Sequence, residues 1–123
     1  DECSLVRLNG LRITPYHPVI RWKEYGKHWV FPISHGRPER IKCKRIYSFV
    51  VKNRKSVIIN SHIFATFGHN LRGDVIEHAY YGTDRVINDL KLIDGYKEGK
   101  VCLTGDMIKR GEDGLVNGIR EII

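Results

Sequence analysis

The sequence predicts an all-β fold of short antiparallel strands, with one helix in the carboxy-terminal third. Through the first seventy residues, apolar and polar positions alternate with period two, as in strands that bury one face. Turn signals such as Asn9-Gly10 divide this region into short segments. The period then changes, because Val86, Ile87, Leu90 and Ile93 recur at helical spacing.

Most of the predicted strands lie before the change of period. They cover residues 11–14, 28–33, 46–51, 56–60 and 63–67, with one more at 100–104. Residues Ile46–Val51 are rich in β-branched and aromatic side chains and give the strongest of these predictions. Asn53-Arg54-Lys55 is expected to turn this strand back into the next one. In the segment 28–33, Trp29, Phe31 and Ile33 share one face and are expected to point into the core.

The helix is expected to run from about Asp84 to Ile93. Thr83 or Asp84 can cap its first turn, and Gly95 supplies a stop signal after it. A glycine-rich turn is expected over residues 111–114. Because the sequence has no internal repeat, low-complexity tract or proline- or serine-rich linker, we expect a single domain over residues 1–123.

The net charge of +7, from 21 basic and 14 acidic residues, is compatible with an acidic partner such as nucleic acid or a lipid surface. The densest basic segment runs from Arg37 to Lys55, and its charges alternate with apolar positions. We therefore interpret it as the solvated face of strands, an interpretation that does not favour a nucleic-acid partner. No apolar run approaches the ~20 residues of a membrane span.

The chain has three widely spaced cysteines, Cys3, Cys43 and Cys102. The odd number argues against a disulfide framework and for a reducing compartment, so a cytoplasmic location is expected. No CxxC pair indicates a structural zinc site, and no cofactor is predicted. We interpret Cys3 as a small buried or incidental thiol.

The first candidate for chemistry is Thr14-Pro15-Tyr16-His17, a Thr-x-x-His unit at the end of a predicted strand. In an extended segment bent by prolines, the hydroxyl of Thr14 and the imidazole of His17 can converge on one small volume. Such a pair can polarise an amide and protonate its departing nitrogen. The alternative is a histidine held by backbone hydrogen bonds beside a buried threonine.

A second candidate is Gly68-His69-Asn70, which follows the predicted strand 63–67. An asparagine beside a histidine can cyclise and cleave the chain after itself, whereas the alternative is a simple turn of residues that tolerate positive φ. His62, His69 and His78 invite a metal interpretation, but their spacing matches no ligand template. We expect His78, with the tyrosines after it, to pack at the start of the helix.

The motif Thr14-x-x-His17-Pro18-Val19 resembles the TxxH motif of hedgehog autoprocessing and intein domains. Further segments are similar, in matching order, to the Vint branch of this Hint superfamily, an intein-like domain found beside von Willebrand factor A modules. These segments are Ile13–Pro18, Phe67-Gly68-His69, His78–Thr83, Val86-Ile87, Asp89-Leu90 and Gly114–Gly118. The resemblance covers nearly the whole chain and implies a horseshoe of short strands.

The resemblance also implies an activity. Thr14 and His17 would assist an acyl shift of the peptide bond before an amino-terminal Cys or Ser, giving a thioester or ester in cis. His69 would lie near that site, and Asn70 resembles the splicing asparagine of inteins, although Leu71 follows it where ligation needs Cys, Ser or Thr. Von Willebrand factor A modules would be neighbouring domains.

The nucleophile of such a domain stands at its start, well before the TxxH motif, and Cys3 lies too near Thr14 to fill that role. We therefore expect this chain to be the carboxy-terminal portion of the domain, without the nucleophile and its amino-terminal strands, and inactive as a fragment. Two other functions stay open. One is a non-catalytic scaffold that kept the fold, and the other is a basic nucleic-acid-binding β domain that uses Trp22, Tyr25 and Trp29.

Overall fold

The computed structural model describes residues 2–53 and 55–122. Its strands, in chain order, are β1 (Glu2–Leu8), β2 (Leu11–Ile13), β3 (Val19–Lys23), β4 (Gly26–Val30), β5 (Glu39–Lys42), β6 (Ser56–Ile59), β7 (His62–Ala65), β8 (Ile108–Arg110) and β9 (Val116–Ile119). The α-helix of the described residues is α1 (Asp84–Leu90), and 3₁₀ turns cover Pro32–Ser34 and Gly105–Met107. The prediction of an all-β fold with a helix near Asp84 is confirmed.

The strands form three antiparallel sheets, with the orders β2-β1-β5, β4-β3-β7-β6 and β8-β9. The predicted Asn9-Gly10 turn joins β1 to β2, and Asn60-Ser61 joins β6 to β7. All four of these residues have positive φ, between 43° and 86°. This is the geometry that two-residue hairpin turns require, because it matches the twist of the flanking strands. The turns thus set the register that pairs Val6 with Ile13 and Val57 with Phe64.

Two hydrophobic clusters form the core. The first lies between the two larger sheets and comprises Val6, Leu8, Leu11, Ile13, Val19, Val30 and Phe64. The second packs α1 against the β8–β9 hairpin and comprises Tyr80, Val86, Leu90, Ile93, Met107, Val116 and Ile119. The segment 66–70 leads from the first cluster to the second, so the turn at Gly68-His69-Asn70 lies where the two parts of the chain meet.

The segment 28–33 forms a shorter strand than predicted, and its side chains lie on the other sides of the sheet. β4 ends at Val30, and residues 32–34 turn in a 3₁₀ helix that leaves Ile33 37% exposed. Because Val30 pairs with Val19 and both are buried in the core, Trp29 points to the opposite side of the sheet. The prediction that Trp29 points into the core was therefore wrong.

The strongest strand prediction, 46–51, is wrong. This segment forms no ladder, and it leaves Ile46 and Tyr47 at 53% and 65% exposure. The strand expected to pair with it, β6, pairs with β7 instead, so the predicted hairpin through residues 53–55 does not form. Asn53 does take a left-handed turn conformation, with φ of 59°, while Arg54 lies outside the described residues. A high β-propensity reflects favourable packing of side chains against neighbouring strands. Residues that have no partner strand gain no stability from this propensity.

The carboxy-terminal third is partly as predicted. The Thr83 hydroxyl accepts a hydrogen bond from the Arg85 N–H and caps α1. The helix ends at Leu90 rather than Ile93, because the chain tightens into i→i+3 bonds from Leu92 and Ile93. Residues 100–104 form no strand; β8 and β9 instead flank the predicted glycine-rich turn at 111–114, and this hairpin was missed.

Cys3 and Cys43 form a disulfide, which corrects the expectations of a free Cys3 thiol and of no disulfide. Their separation of 40 residues encloses β2, β3 and β4, and the two cysteines lie where β1 pairs with β5. Cys102 is free and exposed. An odd number of cysteines is compatible with one pair, so the cysteine count no longer supports the cytoplasmic location, which stays a prediction. No helix of the described residues is long and apolar enough to cross a bilayer.

We predict that reduction of Cys3–Cys43 lowers the free energy of unfolding by about 2–4 kcal/mol, because it frees a long loop in the unfolded chain. Thermal unfolding with and without reductant measures this loss. The pairing itself is checked by alkylation of the unfolded, unreduced protein, which should label Cys102 alone. Labelling of all three cysteines before reduction would contradict the pairing.

Candidate functional site

The Thr14–His17 segment is a tight turn that connects β2 to β3. The His17 N–H donates to the Thr14 carbonyl across 3.3 Å, and the Ile33 N–H donates to the Pro15 carbonyl across 3.0 Å. The ring of Tyr16 packs edge-on against Phe31 at 5.4 Å. The turn is therefore held by its own backbone and by the chain that follows β4, and it presents Thr14 and His17 on the same short segment.

The imidazole of His17 is anchored by a strand 48 residues further along the chain. Its Nε2 lies 2.7 Å from the Ala65 carbonyl oxygen, and its ring meets the edge of Phe64 at 5.3 Å. Since a carbonyl only accepts, Nε2 carries the proton and Nδ1 is the basic nitrogen. Within residues 2–53 and 55–122, neither this Nδ1 nor the Thr14 hydroxyl has a hydrogen-bond partner. Both polar atoms are thus free to meet a reacting group.

Burial lowers the pKa of His17, although the hydrogen bond to Ala65 acts in the opposite direction. The ring is therefore neutral at physiological pH. A neutral imidazole with one free nitrogen can accept a proton and return it, which is the requirement for general acid–base work.

The Gly68-His69-Asn70 segment is a turn clamped onto the loop before α1. The N–H of Gly68 donates to the Tyr81 carbonyl across 2.8 Å, and the N–H of Asn70 donates to the Gly82 carbonyl across 2.7 Å. Gly68 has a φ of +70°, and a Cβ there would lie 2.8 Å from Ile87 Cγ1. Close packing on α1 therefore requires glycine at this position.

His69 is only 5% exposed, and both of its ring nitrogens are occupied. Nδ1 accepts from the Leu71 N–H at 2.9 Å, and the ring also bonds to the Ile76 backbone. Its pKa is lowered by burial first, then by the charges of Lys55, His17 and His78. The structure thus brings His69 within electrostatic reach of His17, but it uses both of its nitrogens to hold the turn.

Asn70 is exposed, with a φ of 57°, and its amide donates to the Asp84 carboxylate across 3.0 Å. Asp84 is the first residue of α1, so this bond ties the turn to the start of the helix. An amide held in this way is directed at Asp84, whereas cyclisation needs its nitrogen at the carbonyl of Asn70 itself. The role of Asn70 in cleavage stays a prediction.

His78 holds the backbone of the loop before α1, to which the Gly68-His69-Asn70 turn is hydrogen-bonded. Its Nδ1 accepts from the N–H groups of Tyr80 and Tyr81 at 3.1 and 2.9 Å, as expected for packing at the start of the helix. Burial lowers the pKa of His78, opposed by the nearby charge of Asp113. Gly82 lies between His78 and His69. Both are so close that a Cβ at Gly82 would lie 2.9 Å from the His69 ring and 2.8 Å from the His78 carbonyl, so the position requires glycine.

The bond between Tyr80 and Asp89 was not predicted from the sequence. The Tyr80 hydroxyl donates to the Asp89 carboxylate across 2.7 Å, and the Ile119 N–H donates to the same oxygen across 3.3 Å. Burial, followed by the bond to Asp89, raises the pKa of Tyr80. A signal was present, because Asp89 lies three residues after the buried Val86 on an otherwise apolar helix face. A carboxylate there indicates a buried partner.

The histidines do not form a metal centre among the described residues, where no group of three His, Cys, Asp or Glu side chains could hold an ion. A concave region of about 460 Å³ lies beside His78, Arg85, Asp113 and Asn117. It is separate from Thr14 and His17. The region therefore carries no argument about the chemistry of those two residues.

We predict that the free energy of unfolding falls in acid because His17, His69 and His78 all have a pKa below the ordinary 6.5 when folded. The three neutral histidines contribute fully to the free energy of unfolding above pH 6.5. This contribution is lost as the pH drops from 6.5 towards the lower pKa values of the folded protein, because the unfolded chain takes up protons first. Urea unfolding at a series of pH values measures this slope. His69→Gln should flatten it, whereas His28→Gln, at an exposed site, should not; equal slopes in both variants would contradict the assignment.

We predict that Tyr80→Phe destabilises the protein by about 1–3 kcal/mol, because the half-buried Asp89 carboxylate loses a hydrogen-bond donor. Chemical denaturation measures the change. Tyr25→Phe removes the same hydroxyl from a side chain that is 90% exposed and is the matched control. An equally small effect in both variants would show that the Tyr80–Asp89 bond contributes nothing.

Comparison with known protein families identifies the fold to which this geometry belongs. The model of the Vint family, a Hint domain, matches residues 1–118. No curated protein matches the chain. The match includes the Thr14–His17 turn, the Gly68-His69-Asn70 turn and α1. The chain therefore belongs to the Vint family of Hint domains.

Proposed function

We propose that this chain is the carboxy-terminal portion of an autoprocessing domain that cleaves its own polypeptide in cis. The support is membership of a Hint family, together with one observation of geometry. The His17 ring is held at Nε2 by the Ala65 carbonyl, and its Nδ1 is left without a partner among the described residues, on the same turn as Thr14. The nucleophile would be a Cys or Ser at the start of the intact domain, upstream of Asp1.

The proposed step is an acyl shift. The side chain of the nucleophile attacks the carbonyl carbon of the peptide bond before it, and the C–N bond breaks to leave a thioester or ester and a free amino group. Nδ1 of His17 accepts the proton of the attacking group and returns it to the departing nitrogen. The bond from Nε2 to Ala65 keeps the ring in the tautomer that allows this transfer and stabilises the imidazolium that forms.

Thr14 would act as a hydrogen-bond donor to the reacting peptide. Its hydroxyl lies three residues before His17, and the backbone bond between the two residues closes the turn that carries both. A hydroxyl that has no other partner can donate to the carbonyl oxygen on which negative charge develops. Its contribution is expected to be smaller than that of His17, which moves the proton.

His69 and Asn70 are assigned indirect roles in this proposal. Both nitrogens of His69 hold the turn after β7, so its contribution is to position the strand whose carbonyl holds His17. Asn70 is directed at Asp84, so its side chain would have to leave that bond before it could cleave the chain after itself. The thioester would pass to water or to another nucleophile of the polypeptide. Von Willebrand factor A modules as neighbouring domains belong to the same proposal.

The test uses the protein expressed together with the natural sequence upstream of Asp1. Intact mass is measured with and without added thiol, and thiol-dependent loss of the upstream segment is the expected result. His17→Gln keeps a donor for the Ala65 carbonyl but has no basic nitrogen, so cleavage should slow by roughly 100-fold or more. Thr14→Ala should slow it less.

His28→Gln, at an exposed position of β4, is the control and should cleave at the wild-type rate. Thermal unfolding of each variant separates loss of chemistry from loss of fold. Unchanged cleavage in both Thr14→Ala and His17→Gln would remove these residues from the mechanism. A folded protein with an upstream Cys or Ser that stays uncleaved in thiol would instead support the non-catalytic scaffold.

A further inference from the structure

The sheet β4-β3-β7-β6 buries only one of its two faces in the core. Val19, Val30 and Phe64 point to the first hydrophobic cluster and are 1%, 8% and 5% exposed. Successive side chains of a strand point to opposite faces. The residues between them therefore point to the other side, which we call the outer face.

The outer face carries an apolar row that crosses all four strands. Trp29 of β4 pairs with Ile20 of β3, and Ile63 of β7 pairs with Ile58 of β6. The register that pairs Val19 with Phe64 places Ile20 beside Ile63 and joins the two pairs into one row. Ile58 is 69% exposed at the end of this row. In a strand with one solvated face, polar side chains are expected at such positions, so this row requires an explanation.

Two exposed aromatic side chains extend the row towards the tip of the β3–β4 hairpin. Trp22 is 71% exposed and lies two residues after Ile20, hence on the same face. Tyr25, in the turn itself, is 90% exposed. The ammonium group of Lys27 lies 5.2 Å from the centre of the Trp22 ring, so the tip combines aromatic rings with a cation.

The charge on the outer face lies near the hairpin tip. Lys27 of β4 pairs with Trp22 and shares its face, and Glu24 lies in the turn beside Tyr25, whereas Arg21 has the parity of the buried Val19 and points to the other side of the sheet. The whole chain carries +7. A partner surface that is negatively charged as well as apolar is therefore favoured by the net charge of the chain and by Lys27.

We propose that the outer face is a docking surface for an anionic lipid bilayer. Trp and Tyr favour the boundary between hydrocarbon and headgroups, because the ring is apolar and its N–H or O–H stays in water. The hairpin tip with Trp22 and Tyr25 enters this boundary, the isoleucine row lies against it, and Lys27 meets the lipid phosphates. Such docking adds apolar burial to electrostatic attraction and needs no membrane-spanning segment.

Two other occupants fit the observations less well. A single-stranded nucleic acid would stack its bases on aromatic rings, but Ile20, Ile58 and Ile63 offer no ring, and Lys27 lies over the Trp22 ring. A second copy of the chain, packed face to face, would bring together two chains that each carry +7. A bilayer satisfies both the apolar row and the charge.

The experiment uses the two tryptophans, because Trp22 and Trp29 are the only ones in the chain and both lie on the outer face. The protein is titrated with phosphatidylcholine vesicles and with vesicles that also contain phosphatidylserine. We expect a blue shift of the emission and co-sedimentation with the phosphatidylserine vesicles only, both reduced by added salt. Ile58→Ser should weaken binding roughly tenfold or more, because it removes one exposed apolar contact.

Leu92→Ser is the matched control, since Leu92 is 82% exposed but lies after α1 and away from the outer face; it should bind as the wild type does. Trp22→Ser, with Trp29 as the remaining reporter, should weaken binding as Ile58→Ser does. Equal binding of Ile58→Ser, Leu92→Ser and wild type would overturn the proposal, as would equal binding to both lipids or to neither. Self-association without lipid that Ile58→Ser abolishes would overturn it in favour of a second copy.

Discussion

The peptide group of Ala65 joins the two parts of the chain on which the candidate site depends. Its N–H donates to the Pro18 carbonyl across 3.1 Å, and its carbonyl accepts from Nε2 of His17 at 2.7 Å. These two bonds extend the pairing of β3 with β7 beyond Val19–Phe64, into the turn that carries Thr14. Because Pro18 has no N–H, the contact uses its carbonyl, and the side chain of His17 takes the place of the missing backbone donor. The tautomer and direction of the imidazole follow from this arrangement.

The position of Ala65 depends in turn on the packing of the residues before and after it in the chain. Phe64 fills the first hydrophobic cluster and meets the edge of His17, while Phe67 stacks on Tyr81 at 4.8 Å in the second. Backbone bonds from Gly68 and Asn70 then hold the segment to the loop before α1. His69 occupies the junction with both nitrogens in use, so its burial without charge is part of what keeps Ala65 in place.

Much of the candidate site could be predicted from local sequence, and the reasons are physical. The Asn9-Gly10 hairpin and the Thr83 cap each depend on residues within a few positions of one another, so pattern alone identified them. The Thr14–His17 motif was also identified from its pattern, but its backbone was expected to be extended and forms a turn instead. The anchor of His17 could not be predicted, because it is a backbone carbonyl 48 residues away that has no side-chain signature. The same holds for Cys3 and Cys43, since the number of cysteines says nothing about which strands are neighbours.

The sequence by itself determined the class of fold, the Asn9-Gly10 turn, the start of α1 and the motif that carries Thr14 and His17. Only the tertiary structure decided that residues 46–51 stay out of a sheet, that Trp29 lies on the outer face rather than in the core, and that β8 and β9 form the last hairpin. The physical reason is that the backbone hydrogen bonds of a turn or a helix cap are made with neighbours in the chain. The backbone hydrogen bonds of a strand need a partner strand, and which strand becomes the partner depends on the packing of the whole domain.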